Sequence, residues 1–331
     1  MRPLRIGTRG SALALWQARA VASGLERTGV PTELVIITTR GDAKQDAPLS
    51  AIGGKGVFVA EIHDALRREE IDLAVHSAKD MAAVPPAGLT IAAVLAREDP
   101  RDALVFPLGG GSPEGLRYTS VGDADGVAQP FRAAPTVTSV AQPFRAATGV
   151  VGTGSPRRIA QLRRIFPDAR FESIRGNVDT RLRKLDAGEV DMLVLACAGL
   201  RRLSLAERIS APLDVSDCVP APGQGIIAIE VRVDDKRTHG LVATLNVPEA
   251  RTVLAAEQAV VAELGGGCQL PLGVYAELRG SALGITAVAA SLDGTRTVHG
   301  EASGNSAAAV ETGTRLAQDL ASRGAMELLH S

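Results

Sequence analysis

Aromatic residues are scarce in this sequence, at 3% of 331 residues, so its cores have to be built from Val, Leu, Ile and Ala. Cysteine is scarcer still. The three thiols, Cys197, Cys218 and Cys268, form no even set and no CxxC pair, which excludes a disulfide framework and favours a reducing compartment. An excess of one charge is also missing: a net charge of −1 gives no basic footprint for general nucleic-acid binding. No run approaches the roughly 20 consecutive apolar residues of a membrane span. The stretch SALALWQARA is apolar in part, but Arg9 precedes it, Arg19 interrupts it and its spacing is helical, so it is not read as a secretory segment. The expectation is a cytoplasmic protein with neither a nucleic-acid nor a membrane partner. Nucleotide signatures, GxxxxGK[ST] or GxGxxG after a strand, are absent. The five histidines show no metal-ligand spacing.

What is present is enough chain for two or three domains, 45% hydrophobic and 22% charged. Strand-like runs at 4–8 and 33–39 and helical spacing from Ser11 to Leu25 open the chain. A helix over about 57–69 then leads into a strand at Ile71–Val75, and further strands follow at 89–95 and 103–106. Strand and helix alternating in this way indicate a mostly parallel α/β sheet. Residues 107–149 break the alternation. They are rich in Gly, Pro, Ala and Thr and carry VAQPFRAA twice, at 127–134 and 140–147, so they read as a flexible insertion. The α/β pattern resumes at GVVG (149–152), with a helix from Pro156, strands at 170–174 and 192–196, a helix at 177–187 and a strand at 226–233. A helix over 248–264, three strand-like runs at 273–279, 283–291 and 295–301, and a helix over 305–323 suggest a small α+β domain at the end.

The stretch IDLAVHSAKDM, 71–81, holds the first chemical signal. A buried strand there runs out into His76, Ser77, Lys79 and Asp80, and ligands of open α/β sheets lie beyond the carboxyl ends of strands. Asp80 is an acid among cations. Arg9 stands before the Ser11 cap, Lys55 before the helix after GGKG, and Arg157 and Arg158 just inside the helix after TGSP. A cation at a helix N-terminus is unfavourable unless an anion is shared there. Nine cations, including Arg157, Arg158, Arg175 and Arg181, fall between Thr153 and Lys184 against three acids. Arg163, Arg164, Arg183 and Lys184 suit ordinary surface positions. Arginine forks pair with carboxylates or phosphates, and several separated ones suit a ligand with several carboxylates. Each cation alone is as compatible with a solvated surface side chain. Cys268, between Gly265–Gly267 and Gln269–Pro271, is either a bland loop thiol or an attachment point, and Cys197 in LVLAC is expected within a buried strand.

The runs IGTRGSALALWQA, GGKGVFVAEI, DLAVHSAKD, REDPRDA, VGTGSPRR, IRGNVDTRL, LACAGLRRL, APGQG and GGGCQLPLG closely resemble, in this order, the porphobilinogen deaminase family. The resemblance implies two lobes like those of type 2 periplasmic binding proteins, with a mobile cleft between them, and a third, small α+β domain. The expected division is 1–98 with 226–245 for the first lobe, 99–225 for the second and 246–331 for the third. It implies a dipyrromethane cofactor held by a thioether to Cys268 and gripped by Ser77, Lys79, Asp80, Thr153, Ser155, Arg157 and Arg158. Arg9, Ser11, Arg175, Arg181 and Arg202 match contacts to substrate and growing chain, and Lys55 and Phe58 match a mobile loop at the active site. Asp80 matches the catalytic carboxylate. Porphobilinogen is the implied substrate, linear hydroxymethylbilane the product, no metal is needed, and a monomer is expected. Ala82 stands where the family has Pro, and Gly154 and Pro156 where many relatives have Ser and Leu. Outside the resemblance, a two-lobed binding protein or ligand-sensing module without catalysis is the competing reading, though it leaves a cysteine-bearing third domain without a purpose.

Overall fold

A computed structural model of the chain describes residues 2–39, 59–109, 149–265 and 270–330. Lys55, Phe58, Cys268 and nearly all of the insertion at 107–149 lie outside the described residues.

Three sheets organise the chain. The first contains β1 (Leu4–Thr8), β2 (Thr32–Ile36), β3 (Leu73–Ser77), β4 (Leu89–Val94) and a late strand, β10 (Ile227–Arg232), in the order β2-β1-β3-β10-β4. The second contains β5 (Asp102–Val105), β6 (Val150–Gly152), β7 (Arg170–Glu172), β8 (Met192–Ala196) and β9 (Ala211–Pro212), in the order β7-β6-β8-β5-β9. In both sheets the first three strands run parallel and the fourth is reversed. The two sheets thus share one order, as the two lobes implied by the resemblance require. The third sheet is the antiparallel meander β11 (Leu272–Arg279), β12 (Ala282–Ala290) and β13 (Thr297–Asn305).

Hydrophobic pattern explains the layering. Strands buried on both faces read as unbroken apolar runs, as MLVLA in β8 does. In the first lobe, Leu73 and Val75 of β3 pack with Ala18, Val21 and Leu25 of α1 (Ala12–Glu26). On the opposite face Ala74 packs with Ile62, Ala65 and Leu66 of α2 (Ala60–Arg67). The second lobe carries α3 (Pro156–Leu162), α4 (Val178–Asp186) and α5 (Cys197–Arg202). After the short α6 (Lys236–Val242), α7 (Pro248–Glu263) and α8 (Ala309–Ser322) cover one face of the meander, followed by α9 (Ala325–His330).

Several details differ from the sequence reading. The strand expected at Ile71–Val75 runs over Leu73–Ser77. The Asp72 carboxylate accepts from the Arg5 N–H at 2.8 Å and pairs with the Arg5 and Arg2 guanidinium groups, which holds Asp72 outside the strand. Cys197 is buried as expected but begins α5 instead of ending a strand. The sheets are mixed, because the reversed strands reach them by the two crossings between the lobes. The last run of strand extends to Asn305, and α9 and α6 had no counterpart in the reading of the sequence.

The crossings are pinned where they touch. Arg97 Nη1 donates to Glu257 of α7 at 2.6 Å, and the Gly223 N–H donates to the other oxygen of Glu257 at 2.6 Å. Gly225, at φ +88°, passes so close to the Glu98 carbonyl that a Cβ would collide with it. Glycine is therefore required there on two counts.

Candidate active site

The polar end of β3 brings the first group of residues together. The Gln17 amide of α1 donates to the Ser77 hydroxyl at 2.8 Å, and Ala78 N–H donates to the Ile226 carbonyl at 3.0 Å. The chain then turns in a single 3-10 turn, Ala78–Asp80. Asp80 and Ser77 line one pocket with Arg9 and Ser11 of the β1–α1 connection. Ser11 is the N-cap of α1, its hydroxyl accepting from the Ala14 N–H at 3.3 Å.

Lys79 points to the other lobe. Its Nζ donates to Oε1 of Gln224 at 3.3 Å, and Nε2 of Gln224 donates to Asp102 at 2.9 Å and to the Pro100 carbonyl at 2.6 Å. Asp102, wholly buried at the start of β5, receives Arg157 at 2.8 Å and Arg158 at 2.7 Å. Arg157 also donates to the Val219 carbonyl at 2.7 Å, and Arg158 to the Val194 carbonyl at 2.9 Å. Arg158 keeps one buried nitrogen, Nε, without a hydrogen-bond partner. Burial opposes a charge on Asp102, yet Arg157 and Arg158 hold its carboxyl well below the usual carboxylate range.

These two arginines enter from α3, whose start was legible in the sequence. Ser155 caps it, accepting from the Arg158 N–H at 3.4 Å, and Pro156 occupies its first turn. Thr153 is buried just before it, and its hydroxyl accepts from the Ser155 N–H at 3.3 Å. Arg175 and Arg181 flank the next helix start. Gly176, at φ +111°, makes the turn into α4, and Nε of Arg181 donates to its carbonyl at 2.8 Å.

The cations share one field with Asp80. Burial first, then Arg158 and Arg157, push the Lys79 ammonium down to about 8, with Asp80 and Asp102 opposing. Burial, Arg158 and Arg175 push Arg181 down to about 10, again against Asp80. Cations that disfavour one another's charge gain by meeting carboxylates, which fits the residues to a ligand rich in acid groups. Arg202 stands apart from this field. Its guanidinium is pushed down to about 10 by burial, donates to the Gly225 carbonyl at 2.6 Å and lies 5.7 Å from the Trp16 ring of α1. It marks the place where α1 of one lobe meets α5 of the other.

Two expected features are thereby qualified. Arg157 and Arg158 are committed to Asp102 and to backbone carbonyls, so their charge is partly spent within the protein. Sequence reasoning had passed over Asp102, Gln224 and Glu257, all fully buried polar groups. Asp102 was readable as the one acid at the mouth of the apolar run ALV. Gln224 carried no local signal beyond its place in APGQG. Cys197 and Cys218 both have thiols pushed up to about 12, by burial and then by Asp99 and Asp102 respectively, so neither is a ready nucleophile.

Comparison with known proteins places the chain among named relatives. The model of the porphobilinogen deaminase dipyromethane cofactor binding domain matches residues 4–240, and that of the porphobilinogen deaminase C-terminal domain matches 251–322. A porphobilinogen deaminase of Acidithiobacillus ferrooxidans is 42% identical over 331 residues, covering 98% of this chain and 97% of its own. One of Syntrophobacter fumaroxidans is 39% identical over 330 residues, with 99% and 97% covered. Among solved structures, the periplasmic VFT2 domain of Bordetella pertussis BvgS aligns at a TM-score of 0.39 with 14% identity, over 73% of this chain and 86% of that one.

Proposed function

The chain belongs to the porphobilinogen deaminase family, and from that premise we propose that Asp80 is its catalytic carboxylate, with the surrounding cations holding the acid groups of cofactor and substrate. The family activity is a transferase reaction of tetrapyrrole and haem biosynthesis. It condenses four porphobilinogen molecules head to tail, with loss of ammonia, onto a dipyrromethane primer and then releases linear hydroxymethylbilane by hydrolysis. When bound, the dipyrromethane supplies the free pyrrole carbon that is extended.

The observation that carries the assignment is the pocket shared by Asp80, Ser77, Arg9 and Ser11, set against the Lys79, Arg158 and Arg181 field. Substrate that has lost ammonia is cationic, and a carboxylate at Asp80 stabilises that charge while accepting pyrrole N–H groups. Lys79, Thr153, Ser155, Arg157 and Arg158 sit on the side toward the second lobe and suit the cofactor's acid groups. Arg9, Ser11, Arg175 and Arg181 suit those of the incoming unit and the growing chain. Arg202 acts at the lobe junction. Cys268 carries the cofactor through a thioether, a reading supported by the suppressed reactivity of Cys197 and Cys218. We read the three sheets as three domains, 1–98 with 226–245, 99–225 and 246–331, in a cytoplasmic monomer. The near-balanced charge of −1 supports the lack of a nucleic-acid partner. No described helix is long and apolar enough to cross a membrane.

Intact-mass measurement and one substitution test this. The protein should exceed its sequence mass by one dipyrromethane, and Cys268→Ser should lose that increment together with activity. Active protein of unmodified mass would sink the attachment. Asp80→Asn should fold and keep its cofactor while losing on the order of 10²–10⁴ in turnover. Near-normal consumption of porphobilinogen by that variant would remove Asp80 from the role.

A further inference from the structure

One polar cluster adjoins the Asp80 pocket, which His76 also lines, but none of its side chains is given a role in the reading above. His63 of α2, His76 of β3 and Glu230 of β10 meet on the sheet face that α2 covers, among Ile62, Ala65 and Ala74. Register brings two of them together. β10 runs antiparallel to β3 with Glu230 opposite Ala74 and Ala228 opposite His76, so Glu230 and His76 are diagonal neighbours on one face. His63 descends on them from the helix. Its Nε2 lies 3.0 Å from Oε2 of Glu230, and Nε2 of His76 lies 3.2 Å from the same oxygen. One ligand atom from each of the three residues lies within 4.8 Å of the others.

The cluster is dry and its bonding is incomplete. The Glu230 side chain is 0% exposed, and the imidazoles of His76 and His63 are 3% and 12% exposed. Both Nε2 atoms and both Glu230 oxygens are buried without a hydrogen-bond partner in aligned geometry. A buried polar atom that nothing satisfies costs about 1–3 kcal/mol, and the short imidazole–carboxylate contacts offset part of that cost. Four such atoms converge on one point.

We propose that His63, His76 and Glu230 form a binding site for one divalent transition-metal ion, zinc or a chemical equivalent, held by two imidazole Nε2 atoms and a carboxylate. Two imidazoles and one carboxylate are a mixed nitrogen and oxygen set, which suits zinc and its neighbours, whereas calcium and magnesium take oxygen. Bonds of about 2.0 Å in a tetrahedron put ligand atoms roughly 3.3 Å apart. The two nitrogen–oxygen separations, 3.0 and 3.2 Å, are close to that edge. The fourth position falls to water or to the second oxygen of Glu230. An ion there ties α2, β3 and β10 together just behind Ser77, so it anchors the strand end from which Asp80 projects. The proposal does not depend on the role assigned to Asp80, and its test reads metal and not turnover.

Full-length protein with its cofactor in place is stripped with a chelator and titrated with cobalt(II), then with zinc(II). We expect one cobalt per chain with the visible d–d absorption of a four-coordinate nitrogen and oxygen site, its displacement by zinc, and a thermal midpoint that rises with zinc. His63→Gln should weaken cobalt binding by on the order of 100-fold or more and remove the zinc-dependent rise, since even outer-shell changes cost 10–100-fold. Glu230→Gln should do the same. Equal binding by His63→Gln and the parent would overturn the site, as would no binding at micromolar metal, or thiolate charge-transfer bands that place the ion on a cysteine. Each of these outcomes leaves the three side chains as a histidine–carboxylate cluster only. Should neither variant fold, hyperfine coupling to histidine nitrogens in copper(II)-loaded parent protein decides. Its absence overturns the site as well.

Discussion

On the reversed fourth strand of its five-stranded sheet each lobe buries a carboxylate, and the two are satisfied by different chemistry. Asp102 on β5 and Glu230 on β10 both lie on the reversed fourth strand of a five-stranded sheet, and both side chains are fully buried. Asp102 meets two guanidinium groups, which keep their charge at any ordinary pH, and also accepts from Gln224 and from the Cys218 thiol. Glu230 meets two imidazoles, with Nε2 of His63 and of His76 at 3.0 and 3.2 Å from one of its oxygens. The second lobe neutralises its buried acid permanently and from within. In the first lobe burial opposes the charge on Glu230, yet the two imidazoles hold its carboxyl down to about 2. Placement on an equivalent strand thus does not determine how a buried charge is compensated; the partner residues do.

The largest expected effect tests that contrast directly. Asp102→Asn leaves two buried guanidinium groups without their counter-charge, and removing one member of a buried ion pair costs about 3–5 kcal/mol. Glu230→Gln, in chelator-treated protein, removes a charge that no fixed cation answers and should cost less, about 1–3 kcal/mol. Urea unfolding of both variants gives the comparison. A greater loss from Glu230→Gln than from Asp102→Asn would reverse it and would mean that Glu230 is the more tightly compensated of the two. Because Gln224 passes hydrogen bonds from Asp102 to Lys79, the Asp102 variant should also lose porphobilinogen turnover, whereas loss confined to stability would detach the ion pair from the site.

How much of this was legible follows from the range of each interaction. The β8 run MLVLA and the TGSP start of α3 were readable because a buried strand and a helix cap are written in consecutive residues. The polar end of β3 was readable for the same reason, and with it Ser77, Lys79 and Asp80. The strand boundary was misplaced by two residues because its cause, the pairing of Asp72 with Arg5, spans 67 positions. Arg157 and Arg158 stood out as cations at a helix start, but their partner is Asp102, 56 residues before Arg158. The histidines lacked metal spacing in the chain and meet only through the β3–β10 register and the descent of α2. A single Glu in the apolar run IAIEVR was the available hint, and its meaning needed the antiparallel strand beside it.

The smallest effect concerns Lys79, the side chain through which the first lobe touches the permanently neutralised cluster of the second. Burial, with Arg158 and Arg157, lowers its ammonium from 10.5 to about 8. The sign follows from proton counting. Between about 8 and 10.5 the unfolded chain binds the proton and the folded chain does not, so stability rises with pH through that window. Below it, the charged ammonium is a standing cost to the fold. Lys79→Gln should therefore stabilise the protein near neutral pH, by on the order of 1 kcal/mol once solvent screening of its partly exposed side chain is allowed for, and should flatten the rise between pH 8 and 10.5. Thermal midpoints of parent and variant across that range measure it. In the parent, a ligand with carboxylates at this position should raise the Lys79 pKa and abolish the rise, so cofactor-free Cys268→Ser protein should show it more strongly than cofactor-bearing protein. A variant that is less stable at neutral pH would mean that the hydrogen bond to Gln224 outweighs the electrostatic cost, and that the two lobes are joined at Lys79 as firmly as Asp102 joins α3 to β5.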